Sequence, residues 1–149
     1  ENPDYRWVDF RKLIQTPYLH ISGPDSISVD SLSGKYILID FFYQSCRPCI
    51  LSFKKLKELY QINNASKNLV IIGVDPVLQD SSSMGKFKKR YKLEHDVIVG
   101  SFANSINSIF NPVGIFPFQI LINPKGEIIE TQEGYSEVFF KKLEEIISK

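Results

Sequence analysis

The chain has 149 residues, 43% hydrophobic and 23% charged, with 18 Lys and Arg against 17 Asp and Glu for a net charge of +1. That is about one domain's length, enough to bury roughly two-thirds of the unfolded surface without metal or disulfide staples. The composition excludes a disordered or fibrous chain, near-neutrality offers no basic field for nucleic acid, and no apolar run approaches the ~20 residues of a membrane span.

Residues 1–17 carry Trp7 and Phe10 among charges and read as an N-terminal arm, with a single domain over 18–149. Segments 18–22 and 26–29 flank Gly23-Pro24-Asp25 and predict a hairpin. The run 35–42 is apolar, β-branched and aromatic, the pattern of a buried strand. After it Ile50, Phe53, Leu56 and Tyr60 recur at three- and four-residue steps among lysines, which predicts an amphipathic helix. A second buried strand covers 68–75, so the two strands and their helix form a βαβ unit with a parallel pair. A polar loop at 79–83 leads into a helix with Met84, Phe87 and Tyr91 on one face, and a short strand follows at 96–99. Phe102, Ile106, Ile109 and Phe110 mark another helix, ended by Asn111-Pro112. Strands at 118–122 and 126–131 form an antiparallel hairpin about Asn123-Pro124-Lys125-Gly126, and a last helix over 136–148 turns Val138, Leu143, Ile146 and Ile147 inward. The class is α/β: a mixed parallel and antiparallel sheet flanked by helices, with an N-terminal hairpin and a helical insertion.

The only two cysteines stand in Cys46-Arg47-Pro48-Cys49, where the first strand turns into the first helix. A secreted disulfide scaffold would scatter more of them. At the start of a helix, unpaired N–H groups and the positive end of the macrodipole stabilise a thiolate, so Cys46 is the expected nucleophile. Cys49 lies one turn further in, more buried, and is placed to resolve a mixed disulfide. Pro48 falls in the first turn, where a missing N–H costs nothing. Arg47 adds a cation beside the thiolate.

Residues 37–49, Ile-Leu-Ile-Asp-Phe-Phe-Tyr-Gln-Ser-Cys-Arg-Pro-Cys, resemble the active-site segment of the thioredoxin superfamily, and residues 18–147 resemble its ResA/TlpA-like extracytoplasmic branch. The resemblance implies a thioredoxin-like fold and a thiol–disulfide oxidoreductase whose only redox group is its own Cys46–Cys49 disulfide, with no separate cofactor. It implies a cis-proline at Pro117 facing the cysteines, with the backbone of Phe116 offering hydrogen bonds to an extended substrate strand. It places Asp40 beneath Cys49 with a raised pKa, as the base that helps deprotonate the resolving thiol. Partners would be protein thiols and disulfides and an upstream donor of electrons.

Several residues depart from the family pattern. Ser45 stands where tryptophan usually precedes the first cysteine, Phe42-Tyr43 replaces a Trp-Ala pair, and Phe118 replaces a threonine. Either Tyr43, Phe116 and Phe118 form a substitute aromatic docking surface, or these rings belong to the core. Arg47 favours the reduced thiolate, which implies a potential above thioredoxin's roughly −270 mV. His20 and His95 lack ligand spacing to the cysteines and read as surface or hairpin residues, with no metal site expected. Two alternatives stand beside the oxidoreductase. A peroxiredoxin-like thiol peroxidase lacks the expected Pro and Thr before Cys46, and a copper-binding module lacks a third ligand. The chain opens at Glu1 without a basic and apolar leader, and the resemblance favours a periplasmic or otherwise extracytoplasmic monomer, with any membrane tether supplied by a segment outside this chain. A cytoplasmic protein is the alternative.

Overall fold

The computed structural model describes residues 18–20, 26–28, 32, 34–63, 68–78 and 81–148. The expected arm at 1–17 and the turn at 23–25 lie outside the described residues. β1 (Tyr18–His20) and β2 (Ser26–Ser28) pair antiparallel, with Leu19 opposite Ile27, as a separate two-stranded sheet.

The main sheet has five strands in the order β5-β4-β3-β6-β7. Its centre is β3 (Tyr36–Phe41), which β4 (Leu69–Val74) joins in parallel and β6 (Phe118–Ile122) antiparallel. The parallel pair requires a long crossover, supplied by α1 (Arg47–Asn63). Between β4 and the edge strand β5 (Asp96–Ile98) lies α2 (Ser81–Tyr91), and α3 (Gly100–Phe110) then leads back to β6. The other edge is β7 (Ile128–Glu133), followed by α4 (Glu137–Ile147). β7 begins two residues later than the sequence pattern suggests. The preceding turn consumes Gly126 and Glu127, because the Asn123 side-chain carbonyl accepts from Lys125 N at 3.0 Å and Glu127 N at 2.9 Å. Gly126 completes that turn with a φ of +88°, a left-handed conformation suited to glycine.

Alternation along β3 divides the core in two. Ile37, Ile39 and Phe41 point to one face, where Ala103, Ile106 and Phe110 of α3 cover them. Leu38 and Phe42 point to the other, against Cys49, Phe53, Leu56 and Leu59 of α1, Met84 and Phe87 of α2, and Phe139, Phe140, Leu143 and Ile147 of α4. The sheet is thus the middle layer of three. In α4 the buried stripe differs from the one expected: Val138 is 77% exposed. Ser136 caps the helix by accepting from Phe139 N at 3.2 Å, and the stripe then runs 139, 140, 143, 147 at helical period. Val138 sits five residues before Leu143, most of a half-turn out of phase with it.

His95 corrects a second expectation. It is 2% exposed, since it precedes β5 on the α1 side of the sheet and is two residues from buried Val97. Gly73 makes room for it: a Cβ there would stand 3.3 Å from His95 Nε2.

Candidate active site

The antiparallel register of β3 and β6 sets the site. Phe41 pairs with Phe118, so residues just after Phe41 and just before Phe118 emerge at the same end of the sheet. The loop carrying Tyr43 and Cys46 therefore meets Phe116 and Pro117. Tyr43 and Phe116, both half-buried, pack edge to face with ring centroids 5.3 Å apart. The Phe116–Pro117 bond is cis, and Pro117 is buried with its carbonyl accepting from Gly134 N at 2.8 Å.

Cys46 and Cys49 are joined in a disulfide with Cα atoms 5.2 Å apart. The Cys46 amide donates to the Tyr43 carbonyl at 3.1 Å, and its own carbonyl accepts the first helical bond, from Ile50 N at 3.1 Å. Cys46 is therefore the N-cap of α1, and its Sγ accepts from the Cys49 amide at 3.3 Å. A serine or aspartate oxygen would do the same at this position, so here a sulfur replaces the usual capping oxygen. Arg47 and Pro48 are exposed beside the pair. Cys46 is 2% exposed and Cys49 fully buried, so what little access exists belongs to Cys46.

Asp40 is fully buried on β3, on the face that α1 covers. Burial pushes its carboxyl up to about 7, against the lowering effect of a hydrogen bond from Gln119. That bond runs from Gln119 Nε2 to Asp40 Oδ1 at 2.7 Å, between residues paired directly across β3 and β6. Asp40 Oδ2 and Gln119 Oε1 have no hydrogen-bond partner. Asp75, just beyond the C-terminal end of β4, is a further buried carboxyl; burial raises its pKa although Oδ1 accepts from Val77 N and Leu78 N.

Phe118 decides one of the open alternatives. It is 5% exposed, and its ring lies 5.9 Å from that of Phe41 on the α3 side. It belongs to the core, whereas Tyr43 and Phe116 are partly buried and pack against the core's margin. Gln119 was not singled out by the sequence, although a glutamine inside the apolar run 118–122 was a signal. Among the described residues, no group of three or more His, Cys, Asp or Glu could hold a metal ion.

A Cys-x-x-Cys pair closed at a helix N-cap, with a cis X–Pro bond at the same end of the sheet, can alternate between disulfide and dithiol. A thioredoxin-like family model matches residues 34–128, and the chain belongs to that family. Its relatives include NHL repeat-containing protein 2 of Gallus gallus, 29% identical over 129 residues, and the thiol-disulfide oxidoreductase ResA of Halalkalibacterium halodurans, 26% identical over 110. These alignments cover 83% and 74% of this chain but only 17% and 60% of the relatives' own lengths. Among solved structures, a candidate thioredoxin from Neisseria meningitidis superposes with a TM-score of 0.71 at 27% identity, covering 89% of this chain and 84% of that one. The thioredoxin domain of a Bacteroides vulgatus thiol-disulfide oxidoreductase gives 0.71 at 20% identity, with 87% and 91% covered, and shares the fold.

Proposed function

We propose that this chain is a thiol–disulfide oxidoreductase that exchanges its Cys46–Cys49 pair with protein thiols and disulfides. The observation that carries this reading is the N-cap itself: the Cys49 amide donates to Cys46 Sγ at the positive end of α1. In the reduced protein that donor and the helix dipole favour a Cys46 thiolate. The thiolate attacks one sulfur of a substrate disulfide, forming a mixed disulfide and releasing the other sulfur as a thiolate that takes a proton from water. Cys49 then gives up its proton and attacks Cys46 Sγ. The Cys46–Cys49 bond forms, the mixed disulfide breaks, and the second substrate sulfur leaves as a thiolate. The substrate gains the two electrons that the protein loses, and its two thiolates take their protons from water, to which the Cys46 and Cys49 protons pass.

Asp40 takes the Cys49 proton in this scheme; its buried position and raised pKa support the role. Tyr43, Phe116 and Pro117 receive the substrate strand, and Arg47 tunes the potential. The resemblance to the ResA/TlpA-like branch supports a place outside the cytoplasm, and an upstream dithiol is the electron source. No helix among the described residues is long and apolar enough to cross a membrane.

The test is stoichiometric. Reduced protein mixed with a disulfide-bonded peptide should yield two peptide thiols per chain and one protein disulfide. Rapid consumption of hydrogen peroxide in place of peptide reduction would favour the peroxidase instead.

A further inference from the structure

We infer that Gln119 is a positioning residue for Asp40: its amide occupies one carboxylate oxygen and leaves the other as the oxygen that takes the proton. The inference rests on the dithiol exchange proposed above. Its basis is the pairing of two fully buried polar side chains directly across the β3–β6 ladder, with Nε2 donating to Oδ1 at 2.7 Å.

In an apolar layer a carboxylate needs donors, and this one has a single one. Oδ1 is engaged, so Oδ2, which has no partner, is the free basic atom. Gln119 Oε1 is also without a partner. As an acceptor it cannot satisfy an ionised Oδ2, but it can accept from a protonated one. A single proton on Oδ2 therefore supplies the donor that this pair lacks. When Cys49 attacks Cys46 Sγ, its proton passes to Oδ2; the substrate sulfur leaves with the electron pair, and the proton later returns to water. Gln119 carries no proton in either direction and acts only by holding the carboxyl.

Among the described residues, the titratable side chains packed on this layer besides Cys46, Cys49 and His95 are the phenols of Tyr36, Tyr43, Tyr60, Tyr91 and Tyr135. α1 contributes Cys46 and Cys49, and buried His95 lies over Gly73, the β4 residue paired with Asp40. Lys88 of α2 acts on His95 through its charge, and α4 presents the apolar side chains of Phe139, Phe140, Leu143, Ile147 and, partly buried, Ile146. Gln119 is the hydrogen-bonding partner that the Asp40 carboxyl has among them.

The experiment compares the unmodified protein with Gln119→Met and Gln119→Glu. Two readouts are taken against pH: the rate of Cys49 attack in a single turnover with a disulfide peptide, and the infrared carboxyl band assigned to Asp40 by its loss in Asp40→Asn. The unmodified protein should show one transition near pH 7. Gln119→Met removes a charge-assisted donor from the ionised carboxyl and only a neutral acceptor from the protonated one; the first is about twice as strong, so the transition should move upward, by about one pH unit. Gln119→Glu places two carboxyls together and should split it into two transitions, as paired acids share a proton. A Gln119→Met profile superimposed on the unmodified one overturns the inference. Should that variant fail to fold, the nearly isosteric Gln119→Glu decides alone, and an unsplit profile there overturns it equally. The infrared titration needs no turnover, so it reports on the Asp40–Gln119 pair even if no disulfide is exchanged, an outcome that would instead remove the proposed function.

Discussion

The amide of Cys49 donates to the sulfur of Cys46 across 3.3 Å, so the two halves of the disulfide are also donor and acceptor of a helix cap. Reduction leaves the donor in place. The charge that appears on Cys46 meets an existing N–H and the helix dipole, while Cys49, inside the first turn, has no comparable support. The asymmetry between the two thiols therefore follows from the backbone.

In the proposed exchange Arg47 adds to that support from an exposed position, where water and salt screen it. Replacing it with alanine should lower the reduction potential by about 5–20 mV. That range corresponds to the few tenths to one kcal/mol of an exposed charge interaction at about 30 mV per 1.4 kcal/mol. Equilibration with a glutathione or dithiothreitol buffer measures it. The difference should shrink in high salt; an unchanged or raised potential would show that the cation does not favour the thiolate.

Asp40 and His95 should give the protein two opposed pH dependences. Burial, aided by the Lys88 charge, holds His95 down from 6.5 to about 3. Folding favours its neutral form, so the stability tied to it is complete above pH 6.5 and is lost as the pH falls toward about 3. Burial moves Asp40 from 3.8 to about 7, and folding favours its protonated form. The stability tied to it is complete below pH 3.8 and is lost as the pH rises through about 7. Each slope approaches about 1.4 kcal/mol per pH unit. Asp75, also raised by burial, acts in the same direction as Asp40. Acidification from about pH 7 to about pH 5 should therefore destabilise Asp40→Asn more, and His95→Gln less, than the unmodified protein. Urea unfolding at the two pH values checks the order of the three.

Gly73 is the position that admits His95. A Cβ added there would lie 3.0 Å from Val97 Cγ2, 3.1 Å from Phe42 Cε1 and 3.3 Å from His95 Nε2. Val97 and Phe42 are fully buried and have little room to retreat. Gly73→Ala should cost about 1–3 kcal/mol by overpacking, seen as a lower denaturant midpoint with an unchanged slope. A neutral result would mean that this layer yields freely.

Tyr43 and Phe118 should separate binding from stability. Phe118→Ala opens a cavity beside Phe41 and should cost about 3–5 kcal/mol of folding free energy. Tyr43 is half-buried at the site edge against Phe116, so Tyr43→Ala should mainly raise KM for a disulfide peptide and leave the unfolding midpoint nearly in place. The reverse pattern would put Tyr43 in the core and remove it from the proposed docking surface.

The sequence made most of the sheet legible because Tyr36–Phe41 and Leu69–Val74 are apolar runs too continuous for any place but a buried parallel pair. The cysteines were legible because a strand, a turn and an amphipathic helix framed them. What stayed hidden were contacts between distant segments. Residues 40 and 119 are brought together only by the β3–β6 register. His95 read as a surface residue because the space it fills is made by a glycine on another strand. Val138 was misplaced because helical phase depends on where the Ser136 cap starts the helix, and apolar spacing alone does not set that point.

The most direct measurement of the division of labour is a trapping pair. Cys49→Ala and Cys46→Ala, each reduced and mixed with a disulfide-bonded peptide, are followed by mass spectrometry for the covalent adduct. Rapid, persistent adduct is expected on Cys49→Ala and almost none on Cys46→Ala. Equal adduct on both, or more on Cys46→Ala, would contradict that division of labour.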